Sequence, residues 1–171
     1  MEAESISVVA LGPRGWRDLR AIRLEALQSE PAAYSSSYEE TLGRSVEHWQ
    51  QRLANDHSVH LLARAQGRPI GMVGGYLGSD EGDDSVAVVF GMYVTREHRG
   101  KGIGRLLLTS LIDRLAAFPQ ISTIRLGVTQ TQDPARKLYE AVGFQVVGKT
   151  EEGIVVNGQQ YDELIMELRV R

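Results

Sequence analysis

Between Arg96 and Leu108 the chain reads REHRGKGIGRLLL, with glycines at 100, 102 and 104 and basic side chains at 99, 101 and 105. Glycines at alternate positions strip the backbone of side chains, and a helix that starts directly after them leaves its first N–H groups without intrahelical acceptors. Bare amides at the positive end of a helix, flanked by Arg99, Lys101 and Arg105, suit a phosphate or diphosphate. Two common phosphate motifs do not apply. A dinucleotide fingerprint needs G-x-G-x-x-G where this stretch has G-x-G-x-G, and a P-loop needs Ser or Thr after its lysine, where Gly102 stands. The remaining alternative is a glycine-rich connector that turns tightly from strand to helix.

Composition removes other chemistries. The 171 residues contain no cysteine, which excludes disulfides, thiolate metal sites and a cysteine nucleophile. His48, His57 and His60 show no metal-ligand spacing with nearby carboxylates, so no metal is implied. The formal net charge is -3 and the basic residues are scattered outside 96–105, which argues against a nucleic-acid partner. No apolar run approaches the roughly 18 residues of a membrane span, so no membrane partner is expected. The opening MEAESISVVALG carries two acids and no basic region, and does not read as a signal peptide, giving a cytoplasmic expectation. With 42% hydrophobic and 24% charged residues, no repeat and no low-complexity linker, residues 1–171 read as one soluble globular domain.

The glycine stretch must be held by the elements around it. ISVVAL (6–11) reads as a first strand; Trp16, Leu19, Ile22, Ala26 and Leu27 recur at helical spacing until Pro31. Ser45 caps a second helix over VEHWQQRLA. VHLLARA (59–65) and PIGMVGGYL (69–77) form a hairpin, and after the acidic loop GSDEGDDS (78–85) SVAVVFGMYV (85–94) is a further apolar strand. The next helix places Ile103, Leu107, Leu111 and Leu115 on one face. ISTIRLGVT (121–129) is a strand. Asp133 then caps a helix with Pro134 at its first position and Ala135, Leu138, Tyr139 and Val142 as its stripe, closed by Gly143. FQVVGK and QQYDELIMEL flank Asn157-Gly158 as a final hairpin. The predicted order is β-α-α-β-β-β-α-β-α-β-β, with AYSSSYEET (33–41) as a loop between the first two helices.

Arg99-Gly-Lys-Gly102-Ile-Gly104 resembles the R/Q-x-x-G-x-G/A signature of the GNAT superfamily of N-acetyltransferases, and LGVTQTQDPARKLYEAVGF (126–144) resembles the segment that follows it there. The resemblance covers residues 58–168; the first 57 match only in their two-helix outline. It implies an α/β GNAT fold: a mixed, largely antiparallel sheet with helices on both faces and a cofactor cleft where the fourth and fifth strands splay. It further implies acetyl-CoA as co-substrate, with the pyrophosphate on the amides of Arg99, Gly100, Lys101, Gly102, Ile103, Gly104 and Arg105. The pantetheine arm would lie along Met92, Tyr93 and Val94 like an added strand, with the Met92 N–H polarising the thioester carbonyl. Tyr139 takes the family's tyrosine position, where it serves the departing coenzyme sulfur. Gln132 stands where an asparagine usually contacts the arm, and Val88 where several relatives carry a catalytic glutamate. Glu39 and Glu40 are the candidate substitutes for that base, with His98 and Tyr93 behind them. The expected reaction is acetyl transfer to a primary amine of a small molecule by direct attack. The alternatives are a protein N-terminal or lysine acetyltransferase and a non-catalytic acyl-CoA sensor; a homodimer is compatible with each.

Overall fold

The computed structural model describes residues 4–34, 36–156 and 158–171. Its main elements are β1 (Ile6–Ala10), α1 (Trp16–Ser29), α2 (Tyr38–Leu42), α3 (Val46–Ala54), β2 (Ser58–Ala65), β3 (Arg68–Leu77), β4 (Val86–Val94), α4 (Ile103–Ala116), β5 (Thr123–Thr129), α5 (Asp133–Val142), β6 (Gln145–Val156) and β7 (Gln159–Arg169). The strands form one sheet in the order β1-β2-β3-β4-β5-β7-β6. Every pairing is antiparallel except β4 with β5, which is parallel and crosses over through α4.

Both faces of the sheet are covered, as the stripes require. On one side Ile103, Leu107, Leu111 and Leu115 of α4 are buried together with Tyr139 of α5 and Phe144. On the other, Leu19, Ile22 and Ala26 of α1 and Trp49 and Leu53 of α3 pack on Leu62, Met72 and Tyr93. Each fully buried leucine of this kind stabilises the fold by about 1.5–3 kcal/mol through the apolar area it removes from water. No helix of the described residues is long and apolar enough to cross a membrane.

The feature that matters most for function is an irregularity in β4. Met72 pairs with Tyr93 and Gly74 with Phe90, so Gly91 and Met92 together face the single residue Val73. This is a β-bulge, and it needs a backbone at φ 67° that only glycine adopts cheaply. The extra residue reverses the alternation of the strand. Val89 faces α4, and beyond the bulge Met92 and Val94 do so as well, while Tyr93 turns toward α1. It also ends the pairing with β5, whose register runs from Val86–Thr123 to Val89–Leu126 and no further. From Phe90 onward β4 diverges from β5, and β5 stays with β7.

Three local expectations change. Residues 38–42 are a short helix and not part of a loop, because the Ser37 hydroxyl accepts the Glu40 amide at 3.1 Å and caps a first turn. Asp133 is the first residue of α5 and not its cap; Gln132 precedes it without a capping bond. β6 extends to Val156, carried past Lys149 by register shifts between Val146 and Gly148 and between Thr150 and Ile154. Asn157 of the expected turn lies outside the described residues.

Candidate active site

The glycine stretch folds into a nest of unused amides. After a short turn at Arg96–His98, Gly102 takes a left-handed conformation (φ 81°) and α4 begins at Ile103 without a side-chain cap. The first amide to find an acceptor is that of Leu106, on the Gly102 carbonyl at 3.0 Å. The N–H groups of Gly100, Lys101, Gly102, Ile103, Gly104 and Arg105 therefore have no hydrogen-bond acceptor among the described residues. The Arg99 amide is not part of this set, because it bonds the Arg96 carbonyl at 3.3 Å. Its side chain is engaged too: Nη2 pairs with Glu30 at 2.9 Å and Nε donates to the Val94 carbonyl at 2.9 Å. Arg99 thus braces β4 and the end of α1 against the nest, and Lys101 and Arg105 are the exposed cations beside it. Gly104 serves packing: a Cβ there would lie 3.2 Å from Leu138 Cδ2 of α5. Ile103 is buried below, so only its backbone faces outward.

Where β4 and β5 part, two neighbouring cavities open that share part of their lining. One is lined by Met92, Val128, Gln132, Ala135 and Tyr139. The other, about 430 Å³, is lined by Arg23, Tyr76, Val88, Arg125 and Glu163. Tyr34, Gly91 and Gly127 border both. The gap opens beside Met92 on β4 and Gly127 to Thr129 on β5. Met92 has no cross-strand partner in the sheet register, and its carbonyl accepts the Tyr34 hydroxyl at 2.8 Å. Val94 keeps its side chain in the core beside Gly71 and Gly104.

Tyr139 is buried on α5, edge-on to Phe144 with ring centroids 6.1 Å apart. The residue lines the cavity, and its hydroxyl has no hydrogen-bond partner among the described residues. Burial pushes its pKa up, so it stands as a neutral phenol with a proton to donate. Gln132 reaches the same cavity.

The candidate bases lie elsewhere. Glu39 and Glu40 are exposed on the first turn of α2; Glu39 lines a separate cavity of about 440 Å³ with Tyr34, Tyr38 and Val155, and neither lines the two cavities at the splay. The His98 ring is held at the far corner, Nδ1 2.9 Å from the Thr95 hydroxyl and Nε2 3.3 Å from Glu4. Tyr93 is turned by the bulge under α1, its hydroxyl 3.4 Å from that of Ser29. A different carboxyl occupies the site. Glu163 of β7 stands opposite Thr129, and it leans across β5: a Cβ on Gly127 would lie 2.6 Å from its carboxyl carbon. Burial raises its pKa. Val88 lines the same cavity, so Glu163 faces that cavity from β7 where β4 offers no acid. The sequence signal for this was slight, an acid in an alternating strand whose neighbour carries a glycine. Among the described residues no group of three or more His, Cys, Asp or Glu side chains is arranged to hold a metal.

Comparison with known proteins bears on the family and the fold. The chain is 26% identical over 152 residues to the L-amino acid N-acetyltransferase AaaT of Escherichia coli, covering 88% of this chain and 91% of that protein. It is 35% identical over 95 residues, 56% of this chain, to N-acetylaspartate synthetase of Danio rerio, and the match spans 32% of that protein, about a third of its length. The fold resembles that of yncA from Salmonella typhimurium, a putative acetyltransferase solved with its cofactor acetyl-CoA, with a TM-score of 0.78 at 19% identity over 98% of this chain and 95% of that one. The profile of the acetyltransferase (GNAT) family matches residues 18–144, and the chain belongs to that family.

Proposed function

We propose that the chain transfers the acetyl group of acetyl-CoA to the primary amine of a small molecule by direct attack. The observation that carries this reading is the pair of cavities that share a wall at the β4–β5 splay, with a phenol donor lining one and a carboxyl of raised pKa lining the other. The residues fit the coenzyme. Six acceptor-free amides at the start of α4 suit a pyrophosphate, with Lys101 and Arg105 beside them. Beyond Val89 the β4 backbone loses its β5 partner, which leaves an edge for a peptide-like arm between Met92 and Gln132.

Bound acetyl-CoA supplies an activated acetyl carbonyl and a thiolate leaving group. Glu163, as carboxylate, takes one proton from the acceptor ammonium and frees the nitrogen lone pair that forms the new N–C bond. Tyr139 donates its proton to the sulfur as the C–S bond breaks, and recovers one from the second proton the nitrogen loses. One proton is released overall. The Met92 amide is the donor proposed for the carbonyl oxygen, held in place by the Tyr34 bond to the same residue.

A protein acceptor is the second reading, favoured by Asp80 and Glu81, which line the acceptor cavity and would attract a basic peptide. The test is release of free thiol from acetyl-CoA across a panel of small amines and short peptides. The proposal expects turnover with small amines. Coenzyme binding with no thiol released by any of them would replace it with the sensor reading.

A further inference from the structure

One charge on the acceptor side is not used by the transfer chemistry. Arg23 reaches from α1 into the 430 Å³ cavity. Its guanidinium carbon lies 4.9 Å from the centre of the Tyr34 ring, and a Cβ on Gly91 would sit 3.2 Å from Nη1. The head is therefore fixed between an aromatic face and the bare backbone of the β4 bulge. It is half-buried, and among the described residues it makes no ion pair and no hydrogen bond. Other arginines differ: Arg64 pairs with Asp18, Arg99 with Glu30 and Arg125 with Glu167.

A desolvated cation without a partner is costly unless an anion comes from outside. The cost is compounded by Arg52, which stacks over Phe90 at 5.5 Å. Burial, followed by the nearness of Arg23 and Arg44, brings its pKa down to about 10. The acids of the cavity lie at its other end, on β7 and on the loop before β4, where Glu163, Asp80 and Glu81 stand. The other arginine of the cavity, Arg125 on β5, pairs with Glu167 at 2.9 Å and lies 4.0 Å from Glu81, so Arg23 is the cation of this lining left without a carboxylate among the described residues. Tyr34 joins Arg23 to the reacting centre through its bond to the Met92 carbonyl.

We propose that Arg23 binds the carboxylate of a free amino acid, whose amine then faces Glu163, so that the acceptors of this enzyme are amino acids and not amines or peptide N-termini lacking that carboxylate. This rests on the acetyltransferase reading above and names the acceptor within it. Guanidinium binds carboxylate through two parallel N–H···O bonds, which fixes the direction in which the amine points.

The test compares each of a panel of L-amino acids with its carboxamide, its decarboxylated amine and a dipeptide that begins with it, at saturating acetyl-CoA, in wild type and in Arg23→Ala and Arg23→Lys. The expected result is a wild-type kcat/KM at least tenfold higher for the free acids than for the other three. Arg23→Ala should raise KM for the acid about 10–100-fold, the range of a charge-assisted hydrogen bond, and erase the preference, and Arg23→Lys should restore part of it. In a second readout without turnover, the amino acid should raise the melting temperature of the wild-type protein saturated with CoA, and not that of Arg23→Ala. If carboxamides, amines or dipeptides are acetylated as well as the acids, or if Arg23→Ala keeps the preference, this inference is overturned and the acetyltransferase reading stands. If nothing is acetylated and acetyl-CoA does not bind, both fall.

Discussion

Replacing Glu163 with glutamine keeps the side chain's shape over Gly127 and removes the only function we assign to it, that of accepting a proton. A general base contributes about 10²–10⁴-fold, and the acceptor narrows that range. An amine with a lysine-like pKa of about 10.4 is free in about one part in 2,500 at pH 7, whereas one near 8 is free in about one part in ten. An enzyme without a base works on that free fraction alone, so the loss in kcat/KM at pH 7 should be about 10–10³-fold, larger for the more basic acceptor. Burial sets the signature in pH. A carboxyl whose pKa is raised becomes ionised only above the ordinary glutamate range, so the rise of wild-type kcat/KM with pH should have its midpoint above about 4.3. The glutamine variant should lack that limb and recover as pH approaches the pKa of the amine. Stability should move the other way. A raised folded-state pKa means the folded protein favours the protonated form and is penalised once the group ionises above that pKa, so Glu163→Gln should melt no lower than wild type at pH 7. The assay is steady-state thiol release from pH 5 to 9 beside a thermal melt. A variant with kcat/KM within threefold of wild type and an unchanged pH profile would refute the role.

Tyr139→Phe should fold normally and lower kcat about 10–100-fold, at the low end for a general acid because a thiolate leaves well unaided; turnover measured beside a coenzyme titration checks that affinity moves less than twofold. Gly104→Val should destabilise the protein by about 1–3 kcal/mol in a urea melt, since its side chain meets Leu138 3.2 Å away and Val94 3.7 Å away. His60 is buried against Phe90, and burial, followed by Arg52 and Arg23, takes its pKa down to about 4. The unfolded chain holds this proton more tightly than the fold does between pH 6.5 and 4. Stability present above pH 6.5 should therefore be lost across that window, by about 3 kcal/mol, and urea melts at pH 7 and 4.5 should show the loss in wild type and much less of it in His60→Leu.

Much of the fold could be read from spacing. Ile103, Leu107, Leu111 and Leu115 fall at intervals of four and are all buried, and Tyr139 lies within the stripe drawn for α5. What escaped reading depends on partners distant in the chain. VVFGMYV scans as one continuous strand, and only Gly91 hints that the side chains change faces there. Tyr93 therefore reads as a candidate facing the cleft when the bulge turns it under α1. Ser37 followed by Glu40 is a helix-start signature, but five residues show no periodicity to confirm it. Glu163 and Arg23 are ordinary charged residues in sequence. Their setting comes from Gly127 and Gly91, 36 and 68 positions away in the numbering, which leave room for them on either side of the splay. The amides of 100–105 were legible as a nest; the capture of Arg99 by Glu30 was not, since it joins the end of α1 to a loop far along the chain.

In the proposed function the acceptor-free amides and the opening between β4 and β5 together form a coenzyme site. Calorimetric titration of acetyl-CoA into the protein in the absence of any acceptor tests it directly, with Gly102→Asp as the paired variant, because that substitution places a negative charge amid the six amides. One coenzyme should bind per chain, saturating below about 1 mM as the usual range of substrate affinities implies, with a dissociation constant at least tenfold weaker in a Gly102→Asp protein whose melt confirms that it is folded. Flat heats up to millimolar acetyl-CoA, or equal affinity in the folded variant, would contradict it.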